Sequence, residues 1–383
     1  MKNVGIICEY NPLHGGHKYM ISRLREMGAE RIVCLMSGNA VQRGDFAIMP
    51  KNRRAISAVE AGSDAVFELP FPYSAGGAEF FATAGVDILA RLGVDTVAFG
   101  SESGDIESLR ELALKAEEYK PSDEMNIGTA ADYFASLGNP GSNDILGIEY
   151  LKAGKRCAPD MDFVTIKREG AGYHESAENG DYPSATEIRR AILEENIDGY
   201  SEDQLPDGSK RAIREATENG EITLMKNAQS AVLFFWRTCD ISEVGKCAEC
   251  SGGVAERLSS SAKEAASLEE MMALAATKRY TDSRLRRAAL FGMLGVTLDD
   301  LKARAAYVNL LAANRAGLEL ISAASGIEIV SKPSRAPKGE GGARQFALAA
   351  ALDSLYTIAM DKPRFAGHFV IQSPQIVKND KKI

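Results

Sequence analysis

Hydrophobic positions along the first two hundred residues follow two different spacings in turn. Short apolar runs of the length of buried strands alternate with segments whose apolar side chains recur every three to four residues, as on one face of a helix. The apolar runs predict strands at residues 4–7, 30–38, 64–71, 94–103 and 162–170. The periodic segments predict helices at residues 18–27, 51–62, 78–93, 105–120, 143–154 and 186–196. This alternation predicts an α/β domain over residues 1–200, with a doubly wound parallel sheet covered by helices on both faces.

Beyond residue 220 the strand pattern gives way to helical spacing. Helical segments at residues 222–239, 252–277 and 282–295 predict a mainly helical domain over residues 220–301. Residues 302–383 show both patterns and predict a small mixed α/β C-terminal region. Within it, the glycine- and proline-containing stretch 333–344 is expected to be flexible and to precede a final helix over residues 345–360.

Composition places the chain among ordinary globular proteins. Of its 383 residues, 45% are hydrophobic and 26% are charged, and this length favours two or three domains. No run of 18 or more apolar residues occurs, so we expect no membrane span and no membrane partner. The N-terminus lacks a signal-peptide layout, and Cys8 and Cys34 lie inside predicted strands. These features favour reduced thiols and a cytoplasmic protein.

Charge is distributed unevenly along the chain. The formal net charge is −8, which argues mildly against nucleic-acid binding by the molecule as a whole. Between Leu274 and Phe346, however, twelve Lys and Arg residues stand against six Asp and Glu residues. Such a basic region on an acidic protein is expected either to dock an anionic polymer or to be an ordinary solvated helix face.

The stretch EYNPLHGGH, from Glu9 to His17, places two of the four histidines at a predicted strand-to-helix turn. In parallel sheets, ligands bind beyond the carboxyl ends of the strands. A glycine-flanked helix N-terminus attracts anions, and imidazoles there can donate hydrogen bonds to phosphate oxygens. Losing one such donor typically slows an enzyme by ~10²–10³. The turn therefore favours phosphoryl or nucleotidyl transfer, with His14 and His17 as catalytic residues.

Two plainer interpretations compete with this one. Histidines in a turn are often caps or surface residues. They can also bind a metal, but no further ligands accompany His14 and His17 in the sequence, so no metal site is predicted. The pair Cys247 and Cys250 gives only a weak case for zinc, because a structural zinc site needs four ligands.

The HGGH turn resembles the HxGH signature of the nucleotidyltransferase superfamily, which includes class I aminoacyl-tRNA synthetases. The second signature of that superfamily, S-x-T-x-I-R, resembles SATEIR with Ser184, Thr186, Ile188 and Arg189 in place. The resemblance implies a Rossmann-like fold. It also implies that Ser184 and Thr186 cap a helix and contact phosphate, while Arg189 holds the departing pyrophosphate.

Six further segments narrow the resemblance. They are VGIICEYNPLHGGH, MSGNAVQRGDFAIMPK, GSDAVFELPF, FGSESGDI, NDILGIEYLK and TKRYTDSRLRR. Together they resemble the bacterial tRNA(Met) cytidine acetate ligase family, in patches up to about residue 335. That family activates acetate with ATP as acetyl-adenylate and acetylates N4 of the wobble cytidine of elongator tRNA(Met). The chain departs from the family in its second HGGH residue, often asparagine elsewhere, in a short linker at residues 120–143 and in a short carboxyl region.

The resemblance implies site residues. The ATP-binding segment would comprise Ile7, Cys8, Glu9, Tyr10, Asn11, Pro12, Leu13, His14, Gly15, Gly16, His17, Lys18, Tyr19 and Met20, with further contacts from Gly100, Asn143 and Arg168. Arg43 and Asp64 are expected near the reaction centre. Asp64 can equally be a turn or cap residue, and Arg168 a surface arginine at a strand end. Mg²⁺ is expected with ATP, because the charge between its phosphates usually needs neutralising.

The basic segment gains a meaning from the same resemblance. Lys278, Arg279, Arg284 and Arg287 are predicted to bind tRNA, beside Tyr280, which is expected to be exposed. Arg284 and Arg287 lie one helical turn apart and can reach adjacent phosphates. A solvated helix remains the alternative.

Two other functions fit the same motifs. One is an adenylyltransferase that acts on a phosphorylated small metabolite. The other is a non-catalytic tRNA-binding protein that keeps a relic nucleotide pocket, although both signatures are intact. The sequence does not indicate the oligomeric state.

Overall fold

A mostly parallel sheet forms the centre of the molecule. The computed structural model describes residues 1–118, 137–168, 182–277, 280–323 and 326–377. In that part of the chain the sheet has eight strands: β1 (Asn3–Cys8), β2 (Arg31–Ser37), β5 (Ala65–Leu69), β6 (Thr96–Ser101), β7 (Asp162–Lys167), β8 (Tyr307–Ala313), β9 (Glu328–Val330) and β10 (Gln375–Ile376). A separate hairpin is formed by β3 (Ala40–Val41) and β4 (Asp45–Phe46).

The strand order is β10-β8-β5-β2-β1-β6-β7, and β9 pairs with β8. The five strands predicted from apolar runs are β1, β2, β5, β6 and β7, and they pair with one another only in parallel. In the described part of the chain, the pairing of β8 with β5 is the only antiparallel pairing in this sheet. The predicted α/β sheet is therefore confirmed, and the carboxyl ends of its central strands lie at one edge.

Helices connect the strands and cover both faces of the sheet. Within residues 1–220 the described helices are α1 (Gly15–Glu26), α2 (Lys51–Glu60), α3 (Ala78–Arg91), α4 (Ile106–Glu118), α5 (Ser142–Cys157), α6 (Ala185–Leu193) and α7 (Asp207–Asn219). Alternate strand residues point to opposite sides, so Val33 and Leu35 pack with helix α3 while Cys34 and Met36 pack with helices α1 and α2. Burial on both faces is why the strands read as continuous apolar runs.

A cluster of helices follows, as predicted. It contains α8 (Gln229–Thr238), α9 (Ile241–Val244), α10 (Val254–Glu264), α11 (Leu268–Ala275), α12 (Asp282–Leu294) and α13 (Leu298–Lys302). Trp236 is fully buried at its centre and donates its indole N–H to the carbonyl oxygen of Ala289 at 3.2 Å. Gly292 faces the indole, where an added Cβ would come within 2.9 Å of the ring.

The C-terminal region contains both strands and helices, but its strands belong to the main sheet. Strand β8 extends the sheet beside β5, and β9 and β10 pair with β8. Helix α14 (Arg315–Ala323) follows β8, and helix α15 (Glu340–Ile358) packs on both the β3–β4 hairpin and the helical cluster through a shared apolar core.

Helix α15 begins five residues earlier than the sequence pattern predicts. Residues 340–344, expected to be flexible, form its first turns, and Pro333–Arg335 form a 3₁₀ turn. One of the glycines that suggested flexibility, Gly342, allows close packing instead, since a Cβ there would lie 2.4 Å from the carbonyl oxygen of Pro337. In the described residues, no helix is both long enough and apolar enough to cross a membrane.

Candidate active site

Helix α1 begins inside the HGGH turn at the carboxyl end of β1. His14 is its N-cap, and its Nδ1 accepts the backbone N–H of Gly16 at 3.2 Å. His17 Nδ1 in turn accepts the backbone N–H of His14 at 3.2 Å, which completes a reciprocal capping box built from two imidazoles. The interpretation of these histidines as caps is therefore correct for Nδ1, and it leaves the opposite ring nitrogen for another task.

The two imidazoles are neutral donors. Because Nδ1 of each ring accepts a backbone N–H, the proton of the neutral ring resides on Nε2. Burial and the nearby Arg168 guanidinium lower the pKa of His14 to about 3. Burial, His14 and Arg168 likewise hold the pKa of His17 well below its usual value. The rings lie 3.8 Å apart between centroids, so two Nε2–H groups are presented together at neutral pH.

The glycines of the turn have different neighbours. A Cβ at Gly15 would lie 1.8 Å from the carbonyl oxygen of Asp203, and Gly15 N–H donates to the carbonyl oxygen of Gln204 at 2.8 Å. A Cβ at Gly16 would meet the His14 ring at 3.2 Å. Gly15 therefore accommodates the chain before helix α7, whereas Gly16 lines the cavity described below.

The second signature contacts the stretch EYNPLHGGH at Asn11, just before the HGGH turn. Ser184 caps helix α6, and its Oγ accepts the backbone N–H of Glu187 at 3.2 Å. Arg189 donates from one Nη to the carbonyl oxygen of Asn11 at 2.9 Å and from the other to Thr186 Oγ1 at 3.0 Å. Thr186 thus orients Arg189 and does not cap the helix. The contact brings two motifs together that are 178 positions apart in sequence.

A cavity open to solvent lies between these motifs. It is lined by His14, Gly16, His17, Tyr19, Met20, Gly100, Ile166, Lys167, Arg168, Tyr182, Pro183 and Ser184. Gly100 ends β6 beside Arg168, where an added Cβ would come within 3.2 Å of the arginine side chain. Sequence reasoning missed Ile166, Lys167, Tyr182 and Pro183, although the last two directly precede the SATEIR signature.

Other residues of the predicted ATP segment serve its framework. The Glu9 carboxylate accepts the backbone N–H of Gln42 at 2.9 Å, and Lys18 pairs with Glu202 at 2.8 Å. Tyr10 and Leu13 are buried in the core. The segment therefore divides into residues that line the cavity and residues that anchor the turn.

Asn143 lies at the start of helix α5, on the same edge of the sheet. Its side-chain amide donates to the Glu102 carboxylate at 2.7 Å, and its backbone N–H donates to the same group at 3.1 Å. The side chain of Asn143 is thus held by Glu102 just after β6, and Asn143 is not among the residues that line the cavity.

Arg43 lies at the exposed turn of the β3–β4 hairpin. The neighbouring Gly44 packs closely against the backbone of helix α12: a Cβ added at Gly44 would lie 2.5 Å from the backbone nitrogen of Arg287. The Gln42–Glu9 hydrogen bond ties the hairpin to the segment before the HGGH turn. Arg43 is therefore placed between the sheet and the helical cluster.

The expectation for Asp64 at the reaction centre is wrong. Asp64 directly precedes β5, at the amino edge of the sheet, opposite the HGGH turn. Its carboxylate accepts the backbone N–H of Ile32 at 2.8 Å, the Arg25 guanidinium at 2.6 Å and the Asn314 amide at 2.9 Å. The alternative interpretation, a turn or cap residue, describes it correctly.

A buried arginine supports the site and was missed by sequence reasoning. Arg54 is fully buried and donates to the carbonyl oxygens of Glu9 at 2.6 Å and Ser37 at 3.1 Å, and also to Met49 and Gly38. It thereby fastens the carboxyl ends of β1 and β2, directly before the HGGH turn. The available signal was its position in helix α2, on the same apolar face as Ala55 and Ala58.

The arginines predicted to bind tRNA lie in helix α12 and are engaged within the protein. Arg284 and Arg287 both pair with the Glu249 carboxylate, at 3.3 Å and 2.9 Å. The expectation that Tyr280 is exposed is wrong, because it is buried and donates its hydroxyl to the Gly252 carbonyl oxygen at 2.6 Å. Lys278 and Arg279 lie outside the described residues.

Metal-binding side chains do not cluster in the described part of the chain, where no group of three or more His, Cys, Asp or Glu residues could hold an ion. Cys250 is buried and its thiol donates to the Ala288 carbonyl oxygen at 3.4 Å. Burial raises its pKa to about 12, as expected of a core thiol.

Comparison with known proteins agrees with this geometry. The family model described as HIGH Nucleotidyl Transferase matches residues 1–368. The tRNA(Met) cytidine acetate ligase of Caldanaerobacter subterraneus subsp. tengcongensis is 35% identical over 77% of this chain and 79% of its own length. The enzyme of the same name from Acetivibrio thermocellus is 33% identical over 84% of this chain and 85% of its own length. The chain belongs to the tRNA(Met) cytidine acetate ligase family, within the HIGH nucleotidyl transferases.

Solved structures of this ligase family share the whole fold. Thermotoga maritima TmcAL bound with alpha-thio ATP superimposes with a TM-score of 0.86 at 26% identity, over 99% of this chain and all of that chain. The apo form superimposes with a TM-score of 0.87 at 27% identity over the same shares. The α/β sheet with its helical C-terminal part is therefore the fold of the ligase family.

Proposed function

We propose that this protein is an ATP-dependent ligase that activates acetate as acetyl-adenylate and acetylates N4 of the wobble cytidine of elongator tRNA(Met). The observation that carries the proposal is the Arg189–Asn11 hydrogen bond, which joins SATEIR to the stretch EYNPLHGGH beside two neutral imidazoles. The names of the relatives supply the acceptor, and the thio-ATP bound to the Thermotoga maritima relative supports ATP as the nucleotide.

In the first step, a carboxylate oxygen of acetate attacks the α-phosphorus of ATP. A new P–O bond forms while the bond to the β-phosphate oxygen breaks, and pyrophosphate leaves with that electron pair. His14 and His17 donate from Nε2 to the α-phosphate oxygens and stabilise the charge that grows on them. Arg189, oriented by Thr186, pairs with the departing pyrophosphate.

In the second step, N4 of the cytidine attacks the acetyl carbon. The carbon–oxygen bond to the phosphate breaks, AMP leaves with the electron pair, and the amine passes its proton to water. Because their lowered pKa values keep both histidines neutral, we infer that they donate hydrogen bonds in this step too and do not act as general acids in the imidazolium form.

Nucleotide contacts of the cavity follow from its lining. We infer that Gly100 lies against the nucleotide, that Arg168 pairs with a phosphate or the base, and that Asn143 helps to bound the same edge. Mg²⁺ bound together with ATP would neutralise part of the negative charge of the phosphates. Arg43 is proposed to act near the acceptor, since its hairpin joins the turn to the helical cluster.

ATP–pyrophosphate exchange tests the first step. Purified protein with magnesium should exchange labelled pyrophosphate into ATP only when acetate is present, and tRNA should then gain one acetyl group detectable by mass spectrometry. Exchange that ignores acetate would contradict the ligase and favour an adenylyltransferase for a phosphorylated metabolite. Absence of exchange under all conditions, with intact tRNA binding, would favour a relic nucleotide pocket.

A further inference from the structure

The arginines of the segment predicted to contact tRNA already form ion pairs within the protein. In helix α12, Arg284 and Arg287 share the Glu249 carboxylate, and Arg286 pairs with Asp45 at 3.2 Å and Asp282 at 2.8 Å. Phosphate contacts would have to compete with these ion pairs. The basic charge that is available for a polyanion must therefore be sought elsewhere.

A second basic group lies in the C-terminal region. We call it the C-terminal basic surface, and it consists of Lys332, Arg335, Lys338, Lys362 and Arg364, with Phe365. Among the described residues, none of its five basic side chains has a carboxylate within ion-pair distance. Arg364 instead donates one Nη to the carbonyl oxygen of Asn219 at 2.8 Å.

The two halves of this surface lie side by side. The backbone N–H of Ser334 donates to the carbonyl oxygen of Val370 at 3.2 Å, which joins the stretch 332–338 to the stretch 362–371. Phe365 is 61% exposed and Ile371 is 62% exposed. Unpaired basic groups around an exposed aromatic ring are the combination by which proteins hold single-stranded nucleic acid, through phosphate contacts and base stacking.

The surface borders the edge of the sheet that carries the catalytic turn. Phe369 packs beneath the Lys51 ammonium, with Nζ 5.6 Å from the ring centroid, and Gln372 accepts a hydrogen bond from Asn52. The backbone N–H of Lys51 donates to the side-chain oxygen of Asn39 at 3.0 Å, and Asn39 lies just beyond the carboxyl end of β2. RNA on this surface would therefore run along the edge at which His14 lies.

We propose that the C-terminal basic surface binds the phosphate backbone of the tRNA, with Phe365 stacking on an unpaired base. The proposal rests on the proposed function, because that function supplies the RNA partner. It assigns RNA affinity to Arg335, Lys338 and their neighbours and leaves Arg284 and Arg287 a structural role.

Equilibrium binding of elongator tRNA(Met) at several salt concentrations tests the proposal. The double variant Arg335→Glu, Lys338→Glu should bind at least about tenfold more weakly, with a log Kd–log salt slope reduced by about 2. The matched control is Arg257→Glu, Lys263→Glu, which reverses two exposed charges on helix α10 and should bind as the wild type does. Equal loss in both pairs, or no loss in the first, would overturn the proposal.

The aromatic part has its own measurement. Phe365→Leu should weaken tRNA binding about five- to tenfold with an unchanged salt slope, while Phe365→Trp should retain affinity, because stacking and not charge is altered. Equal affinity of the leucine variant and the wild type would overturn the stacking role.

Acetate-dependent ATP–pyrophosphate exchange without RNA separates this proposal from the proposed function. All of these variants should exchange at the wild-type rate, which also shows that they are folded. If the wild type binds tRNA but shows no acetate-dependent exchange, the ligase assignment fails while the RNA surface can still be judged by binding.

Discussion

At the residue scale, the two histidines of the turn divide their ring nitrogens between structure and chemistry. Nδ1 of His14 and of His17 accepts a backbone N–H, and this fixes the donor proton on Nε2. Burial keeps both rings neutral, so a proton transfer is not needed before either can stabilise charge on phosphate. The turn thus obtains two uncharged donors from four residues of sequence.

Replacing His17 by alanine should lower the rate of acetate-dependent exchange by about 10²–10³, because one transition-state hydrogen bond is lost. Binding of tRNA should remain unchanged, since the cavity and the C-terminal basic surface are separate. Steady-state exchange and a tRNA-binding titration check the two parts, with Arg23→Ala as control, because Arg23 lies on the exposed side of the same helix and, among the described residues, pairs only with Glu26. A wild-type exchange rate in His17→Ala would exclude a catalytic role.

Stability should depend on pH through His14. Its folded pKa of about 3 lies below the unfolded value of about 6.5. The unfolded chain therefore takes up a proton as pH falls below about 6.5 while the folded protein does not, and the free energy of unfolding decreases. The expected slope from this group is about 1.4 kcal/mol per pH unit between about pH 6 and pH 4. Urea unfolding across this window should show that the unfolding free energy of His14→Asn depends less steeply on pH than that of the wild type. Equal pH slopes for the two proteins would contradict this role of His14.

At the element scale, Arg54 explains how helix α2 supports a site to which it contributes no cavity residue. Its guanidinium joins the carbonyl oxygens of Glu9 and Ser37 at the ends of β1 and β2, just before the HGGH turn. A sequence pattern shows only a charged residue on an apolar helix face. Three of the acceptors, Glu9, Ser37 and Gly38, lie between 16 and 45 positions before Arg54 in sequence, which is why the role was visible only in the fold.

Arg54→Lys should destabilise the protein by at least about 2 kcal/mol, because lysine cannot reach all of the carbonyl groups and each buried unpaired group costs about 1–3 kcal/mol. The affinity for ATP should fall as the turn loses its anchor. Denaturant unfolding and an ATP titration measure the two effects. Arg53→Lys is the matched control, since Arg53 is only partly buried and pairs with Glu215 and Glu221. Equal stability of the two variants would refute the anchoring role.

At the scale of the whole molecule, buried charges join the C-terminal helix to the sheet. Lys51 Nζ lies 2.7 Å from Glu68 and 3.1 Å from Asp353 of helix α15, and all three are nearly inaccessible. Burial alone would lower the pKa of Lys51, but the carboxylates of Asp353 and Glu68 raise it above its usual value. The C-terminal region is therefore bonded into the catalytic half.

Removing this lysine should show how strongly the regions depend on each other. Lys51→Met leaves two buried carboxylates without their cation and should cost about 3–5 kcal/mol of unfolding free energy. Lys155→Met removes a solvent-exposed partner of Glu117 and should change stability by less than about 1 kcal/mol. The triple variant Lys51→Met, Glu68→Gln, Asp353→Asn should recover part of the loss. Denaturant unfolding of the three variants measures these changes in unfolding free energy. A small effect of Lys51→Met would contradict the prediction that its buried ion pairs hold the C-terminal helix to the sheet.

The sequence by itself determined the parallel strands, most of the helices and the two signatures, because periodicity and local turn chemistry act over a few residues. It also sufficed for the family, since HGGH, SATEIR and the six further segments that resemble the ligase family are local patterns. The tertiary structure decided that Arg189 reaches Asn11, that Asp64 lies at the opposite edge, and that β8 extends the main sheet. It also decided that Glu249 occupies Arg284 and Arg287. These outcomes depend on which distant backbone and side-chain groups come within hydrogen-bond distance after the chain has packed, and no local pattern encodes that choice.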